Sequence, residues 1–325
     1  MLGSLLALFA AVTFALNNAA YRRGALTGSV AQGMAVSLSL GVLIFFAASI
    51  LIGGLEAIFS FSSFSFWLFC AAGLLHFAWG RYCNYRATKA MGANLVGPPQ
   101  QLGIIVSLVL AIIVLGETLT PLRILGILLV VLGPAISLRA RMATQGPDAP
   151  KPTFQPNYVE GYYFAFLSAL GFGVSPIFVK VALDGGGLVE SIAGGFIAYL
   201  AATAIMALAL LKPGLAAHIA AVKPVSGKWF STAAVLVSLS QMTSYMALAL
   251  APVSVVMPIQ RLSLVFRVLA NSMLNREHEV IGGRIWVATG LGLLGAIFLS
   301  LSTEFVLNHL TLPDWLEQAA QWHWP

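Results

Sequence analysis

Apolar residues fall in ten runs separated by short polar turns, near residues 3–20, 30–53, 64–88, 94–115, 121–139, 161–183, 189–211, 229–250, 253–274 and 283–301. Each run can cross about 30 Å of hydrocarbon at about 1.5 Å of helical rise per residue. The pattern predicts an all-α integral membrane protein with ten transmembrane helices. One long interior polar stretch, Arg139 to Glu160, contains Pro147, Pro150, Pro152 and Pro156 and reads as an irregular linker between two five-helix halves.

The halves also repeat in sequence. Arg81 to Thr120 aligns without gaps on Gln241 to Val280, pairing Tyr85 with Tyr245, Pro98 with Pro258, Gln100 with Gln260 and Glu117 with Glu277. The same register matches Ala87/Ala247, Val96/Val256 and Leu102/Leu262. Apolar matches are cheap in such a chain. The Tyr, Pro, Gln and Glu pairs holding one register over two spans therefore carry the inference of an internal duplication. An odd number of spans per half sets the second half upside down relative to the first. The expected domains are a first repeat over 1–139, a cytoplasmic linker over 140–160, a second repeat over 161–301 and an amphipathic extracytoplasmic tail over 302–325.

Composition agrees with membrane residence, since 59% of residues are hydrophobic and 9% are charged, with a mean hydropathy of +0.91. The net charge of +6 resides mostly in short loops, where it reads as a topology signal and not as a nucleic-acid surface. Twelve of the seventeen Lys and Arg, beginning with Arg22 and Arg23, are counted to the side of the odd loops, the opposite side holds only Arg123 and Lys180, and Arg81, Arg261 and Arg267 lie inside spans. Odd loops are therefore expected in the cytoplasm and both termini outside. No cationic region precedes the first run, which argues against a cleaved signal peptide. Cys70 and Cys83 lie in one predicted helix off a common face and suggest neither a disulfide nor a metal site.

Gly-Glu-Thr-Leu-Thr at 116–120, the Pro-rich start of span 4, the Gly-rich span 5 and the two five-helix repeats resemble the drug/metabolite transporter superfamily, specifically its EamA family. Asn275 to Glu279 departs from the Gly-Glu-Thr-Leu-Thr pattern in the second copy. The resemblance implies alternating-access transport of a small polar or amphiphilic metabolite across a bacterial inner membrane, without cofactor and without naming the cargo. It also implies a central cavity between spans 3, 4, 8 and 9 and parts of 1 and 6. The expected partners are the substrate and the bilayer, with the protein a monomer or homodimer.

The polar residues of those spans are the candidate substrate contacts. Arg81, Asn84 and Tyr85 share a helical face in span 3, as do Gln241, Ser244 and Tyr245 in span 8. The competing reading makes Tyr85 and Tyr245 interfacial belt aromatics. Arg261 lies about 12 Å inside span 9, with no acidic residue at comparable depth. It is the candidate receptor for a carboxylate or phosphate, with Gln260, Gln100 and Gln101 beside it. Structural bonding to carbonyls freed by Pro258 is the alternative. Arg267, nearer the cytoplasmic end, reads as a snorkelling residue. His76 is the candidate carrier of a coupling proton, or else a hydrogen-bonded structural histidine. Asn17 and Asn18, aligned with Ser175 and Pro176, either open the helix toward the cavity or pack between helices. Pro98, Pro99 and Pro258 are candidate bending points. Translocation of a lipid- or sugar-linked phosphate, an intramembrane enzyme and a non-transporting sensor are the other readings.

Overall fold

The computed structural model describes residues 2–116, 155–279 and 283–300, with isolated positions between 121 and 132. Span 5, Glu117, most of the linker and the 302–325 tail therefore lie largely or wholly outside the described residues. The described residues contain helices and turns and no strand. Among the described residues, seven helices are long and apolar enough to cross a membrane. They are α1 (Leu2–Ala25), α2 (Val30–Leu51), α4 (Ser63–Met91), α5 (Ala93–Leu115), α6 (Tyr158–Leu183), α7 (Leu188–Ala209) and α9 (Pro224–Leu250). Short helices α3 (Gly54–Ser60) and α8 (Leu215–Ala220) lie in connections, and the chain continues through α10 (Val253–Gln260), α11 (Ser263–Leu274) and α12 (Gly283–Ser300).

Helix starts follow local chemistry. Ser29 and Gln32 close a capping box ahead of α2, Ser62 caps α4, and Asn157 accepts from the Glu160 amide at the start of α6. Helix contacts are made through small residues, because without a hydrophobic drive inside lipid close approach supplies the attraction. Helix α1 lies along α9 and also touches α10 and α11; α6 lies on α4 and α5, and α7 on α2 and α4. A side chain at Gly73 would collide with the Ala198 carbonyl, so α4 and α7 meet there nearly backbone to backbone.

Three interruptions in the helices position the polar residues. Leu74–Gly80 within α4 is a π-helical turn that carries His76. Helix α5 breaks at Gln101, and α10 is separated from α11 by a turn at Arg261 and Leu262. The two breaks occupy aligned positions of the duplicated sequence. The Gln101 amide donates to the Pro98 carbonyl and that of Leu262 to the Ile259 carbonyl, both at three-residue spacing. Pro98 and Pro99 lack the amides needed to continue the α-helical ladder, which explains the first break. A hydrogen bond is duplicated too: Gln100 Nε2 donates to Asn84 Oδ1 at 2.8 Å, and Gln260 Nε2 to Ser244 Oγ at 2.7 Å.

Candidate functional site: a polar cavity at the helix breaks

A cavity with about 580 Å³ of unoccupied space, counted out to its mouth, lies between α1, α4, α6, α9 and the α10–α11 break. Its wall uses Ala10 to Phe14 of α1, Phe172 to Val179 of α6 and Ser240 to Leu248 of α9. It thus occupies the half of the bundle that holds the N-terminal half of α1 and the C-terminal ends of α6 and α9.

His76, Gln241, Ser244, Tyr245, Gln260 and Arg261, all candidates from sequence, line this cavity. The π turn projects His76 against α6, where its Nδ1 lies 2.6 Å from Ser175 Oγ and its ring rests on Phe172 with centroids 4.5 Å apart. Tyr245 is buried with its hydroxyl unpartnered, which excludes the belt-aromatic reading. Arg261 reaches the Gln100 carbonyl through Nη1 at 3.5 Å, while its Nε and Nη2 have no hydrogen-bond partner. None of the described lining residues is Asp or Glu. The wall therefore offers a guanidinium, a phenol, an imidazole and two amides, a set suited to an oxyanion held by charge-assisted hydrogen bonds.

The other sequence candidates sit outside the cavity wall. Arg81 is buried and donates to Ser37 Oγ at 2.9 Å and to the Tyr199 hydroxyl at 2.8 Å. Tyr85 stacks on Tyr21 with centroids 3.6 Å apart, so it too is core and not belt. Asn84 donates to Asn18 and accepts from Gln100, which also donates to Ser168. Asn17 and Gln101 are buried, with both side-chain amide atoms unpartnered. The polar face of span 3 is thus directed into helix packing, whereas its counterpart in α9 faces the cavity.

One assignment needs correction. Arg267 does not snorkel: its side chain is 2% exposed, and Nη1 donates to Gln100 Oε1 at 3.0 Å and the Ala93 carbonyl at 3.4 Å. Arg22 and Glu279, at the ends of predicted spans, are both buried and paired at 3.2 Å. Glu279 additionally accepts from the amides of Ala93 at 2.6 Å and Asn94 at 2.9 Å, capping the start of α5. Arg22 donates to the carbonyls of Thr88, Lys89 and His278. This cluster joins α1, the α4–α5 turn and the α11–α12 connection at the end of the bundle remote from the cavity. Burial pushes the Glu279 carboxyl above its ordinary range, opposed by Arg22 and the two amides. Phe14 as a wall residue was missed, because hydropathy treats it as an ordinary helix residue; Ser175 and Pro176, singled out from sequence, do line the cavity, but the pairing of Ser175 with His76 was not foreseen.

Membrane-length helices enclosing a polar cavity at the α10–α11 break define a multi-pass membrane protein. Residues 1–139 match the model of the EamA-like transporter family. A solved structure described only as "Crystal structure of protein" is similar over 91% of this chain and 95% of its own, with a TM-score of 0.62 and 19% identity. That likeness shows a shared fold over most of the chain. None of the curated proteins matches the chain.

Proposed function

We propose that the protein is a secondary active or facilitative transporter that exports a small polar or amphiphilic metabolite bearing a carboxylate or phosphate, by alternating access. The observation carrying this reading is Arg261: a cavity-lining guanidinium with two unpartnered nitrogens and no acidic residue among its described neighbours in the wall. An ionised group at membrane depth is costly unless something neutralises it, and a substrate anion would do so.

The chain is read as two inverted five-helix repeats, 1–139 and 161–301, joined by a cytoplasmic linker over 140–160 and followed by an extracytoplasmic tail over 302–325. The aligned breaks at Gln101 and Arg261 and the duplicated Gln–Asn/Ser bond support the duplication; the inversion rests on span parity. With odd loops in the cytoplasm of a bacterial cell and both termini outside, the cavity lies toward the outer face of the inner membrane. The Arg22–Glu279 cluster then closes the cytoplasmic end. His76 is the wall residue available to carry a coupling proton.

The test is a thermal-shift screen of detergent-purified protein against amino acids, nucleotides, sugars, phosphorylated metabolites and vitamins. A ligand at about 100 times its dissociation constant stabilises the native state by about 2.7 kcal/mol. Hits confined to anions and lost in Arg261→Gln support the reading and select a cargo for flux assays in sealed vesicles. Neutral or cationic hits that survive the substitution overturn the anion preference and make Arg261 structural.

A further inference from the structure

Behind the cavity, α11 carries a second buried guanidinium, that of Arg267. Phe14 lines the cavity, and the Arg267 guanidinium lies over the Phe14 ring, 5.7 Å from its centroid. Arg261 and Arg267 both bond to Gln100, the first through its backbone carbonyl and the second through its side-chain oxygen. Arg267 Nε has no hydrogen-bond partner. Arg267, Asn271 and Asn275 follow at four-residue spacing and so form one polar stripe on α11. Asn271 Nδ2 donates to Asn94 Oδ1 at 3.1 Å, and Asn275 Nδ2 donates to Asn271 Oδ1 at 2.8 Å. The stripe ends beside the Arg22–Glu279 pair. Buried polar groups and a buried cation inside a membrane bundle are expensive to maintain, and packing alone would be better served by apolar residues.

We propose that Arg267 is a second anion-binding station on one route through the protein. Displacement of the Phe14 ring opens it to the cavity, and it receives the carboxylate or phosphate that Arg261 binds first. Gln100 holds both guanidiniums through one residue, so an oxyanion leaving Arg261 meets Arg267 across a single side chain. Asn271 and Asn275 then supply neutral hydrogen-bond partners as far as the Glu279 latch. The inference rests on the anion reading of the cavity.

The test uses the full chain in lipid nanodiscs for equilibrium binding and in proteoliposomes for exchange, with radiolabelled inorganic phosphate and succinate as probes. The wild type is expected to bind at least one probe, and Arg261→Gln to weaken that binding by about tenfold or more. Arg267→Gln is expected to leave binding within about twofold yet slow exchange by about tenfold, whereas Arg267→Lys, which keeps the cation, recovers a substantial part of the exchange. Exchange at the wild-type rate in Arg267→Gln overturns the second station. So does a loss of binding as large as in Arg261→Gln, or an Arg267→Lys variant no better than Arg267→Gln, which marks the arginine as structural. Failure of wild-type protein to bind either probe overturns the anion reading of the cavity itself, and the station with it.

Discussion

Glu279 accepts hydrogen bonds from two amides at the start of α5 while lying 3.2 Å from Arg22 of α1, so one carboxylate ties the second half of the chain to two elements of the first. Removing one partner of a buried pair leaves the other charge uncompensated. Glu279→Ala is expected to destabilise the protein by about 3 kcal/mol, because Arg22 keeps its carbonyl partners but loses its counter-charge. Denaturant unfolding in detergent measures this, and a loss below about 1 kcal/mol would mean that the pair is open in solution.

The same carboxyl predicts a pH dependence. Burial raises its pKa, so the closed form binds a proton more tightly than one in which the loop is solvated. The stabilising contribution is then fully present below the ordinary carboxylate value and is lost as pH rises through the raised one. Melting temperature followed from about pH 4 to about pH 8 should fall across that window in wild type, and the Glu279 component should be missing from Glu279→Gln.

Gly92, with φ of 89°, makes the α4–α5 turn on which the carboxylate sits. A Cβ there would lie 3.0 Å from Glu279 Oε2 and 3.1 Å from Oε1, and the backbone conformation itself disfavours a side chain. Gly92→Ala is expected to cost about 1–3 kcal/mol. Combined with Glu279→Ala it should cost less than the sum of the two, which a double-mutant cycle reads directly.

The duplicated bond is asymmetric in what it supports. Ser244→Ala strips Gln260 of one partner beside the cavity and should cost about 1 kcal/mol. Asn84→Ala removes contacts to both Asn18 and Gln100 and should cost about 2 kcal/mol. Equal costs in thermal or denaturant unfolding would contradict the difference in packing between the halves.

Arg261→Gln should weaken binding of an anionic ligand by about 1.5 kcal/mol or more. Arg261→Met separates binding from folding: it removes a cation without an acidic partner, so the apo protein should unfold no earlier than wild type. Early unfolding of Arg261→Met would assign the residue to the scaffold.

Span positions were legible because membrane helices announce themselves by uninterrupted apolar length, and the predicted limits fall within a few residues of α1, α2, α4 to α7 and α9. The breaks at Gln101 and Arg261 were foreshadowed by Pro98, Pro99 and Pro258 and by the aligned glutamines. Periodicity could place Arg81, Asn84 and Tyr85 on one face, yet it could not say which neighbour that face meets. Only the contacts of α4 with α2 and α7 distinguish a cavity wall from a packed seam. Glu279 and Arg22 escaped for another reason: both lie at span ends, where charge counting reads every ionisable residue as solvated. Arg267, Asn271 and Asn275 formed a readable four-residue spacing that was obscured by treating the arginine alone.

The guanidinium of Arg261, with two nitrogens lacking a partner, also bears on how the proposed carrier would cycle. If the cavity alternates between faces as proposed, it passes through a form sealed from water on both sides, where a bare charge is at its most costly. A bound anion lowers that barrier, whereas an empty cavity meets it in full. The return stroke would then be slow unless a second anion rides back, which makes such a carrier an obligate exchanger: its turnover would depend on anion supplied to the far side, and net unidirectional flow would be the minor mode.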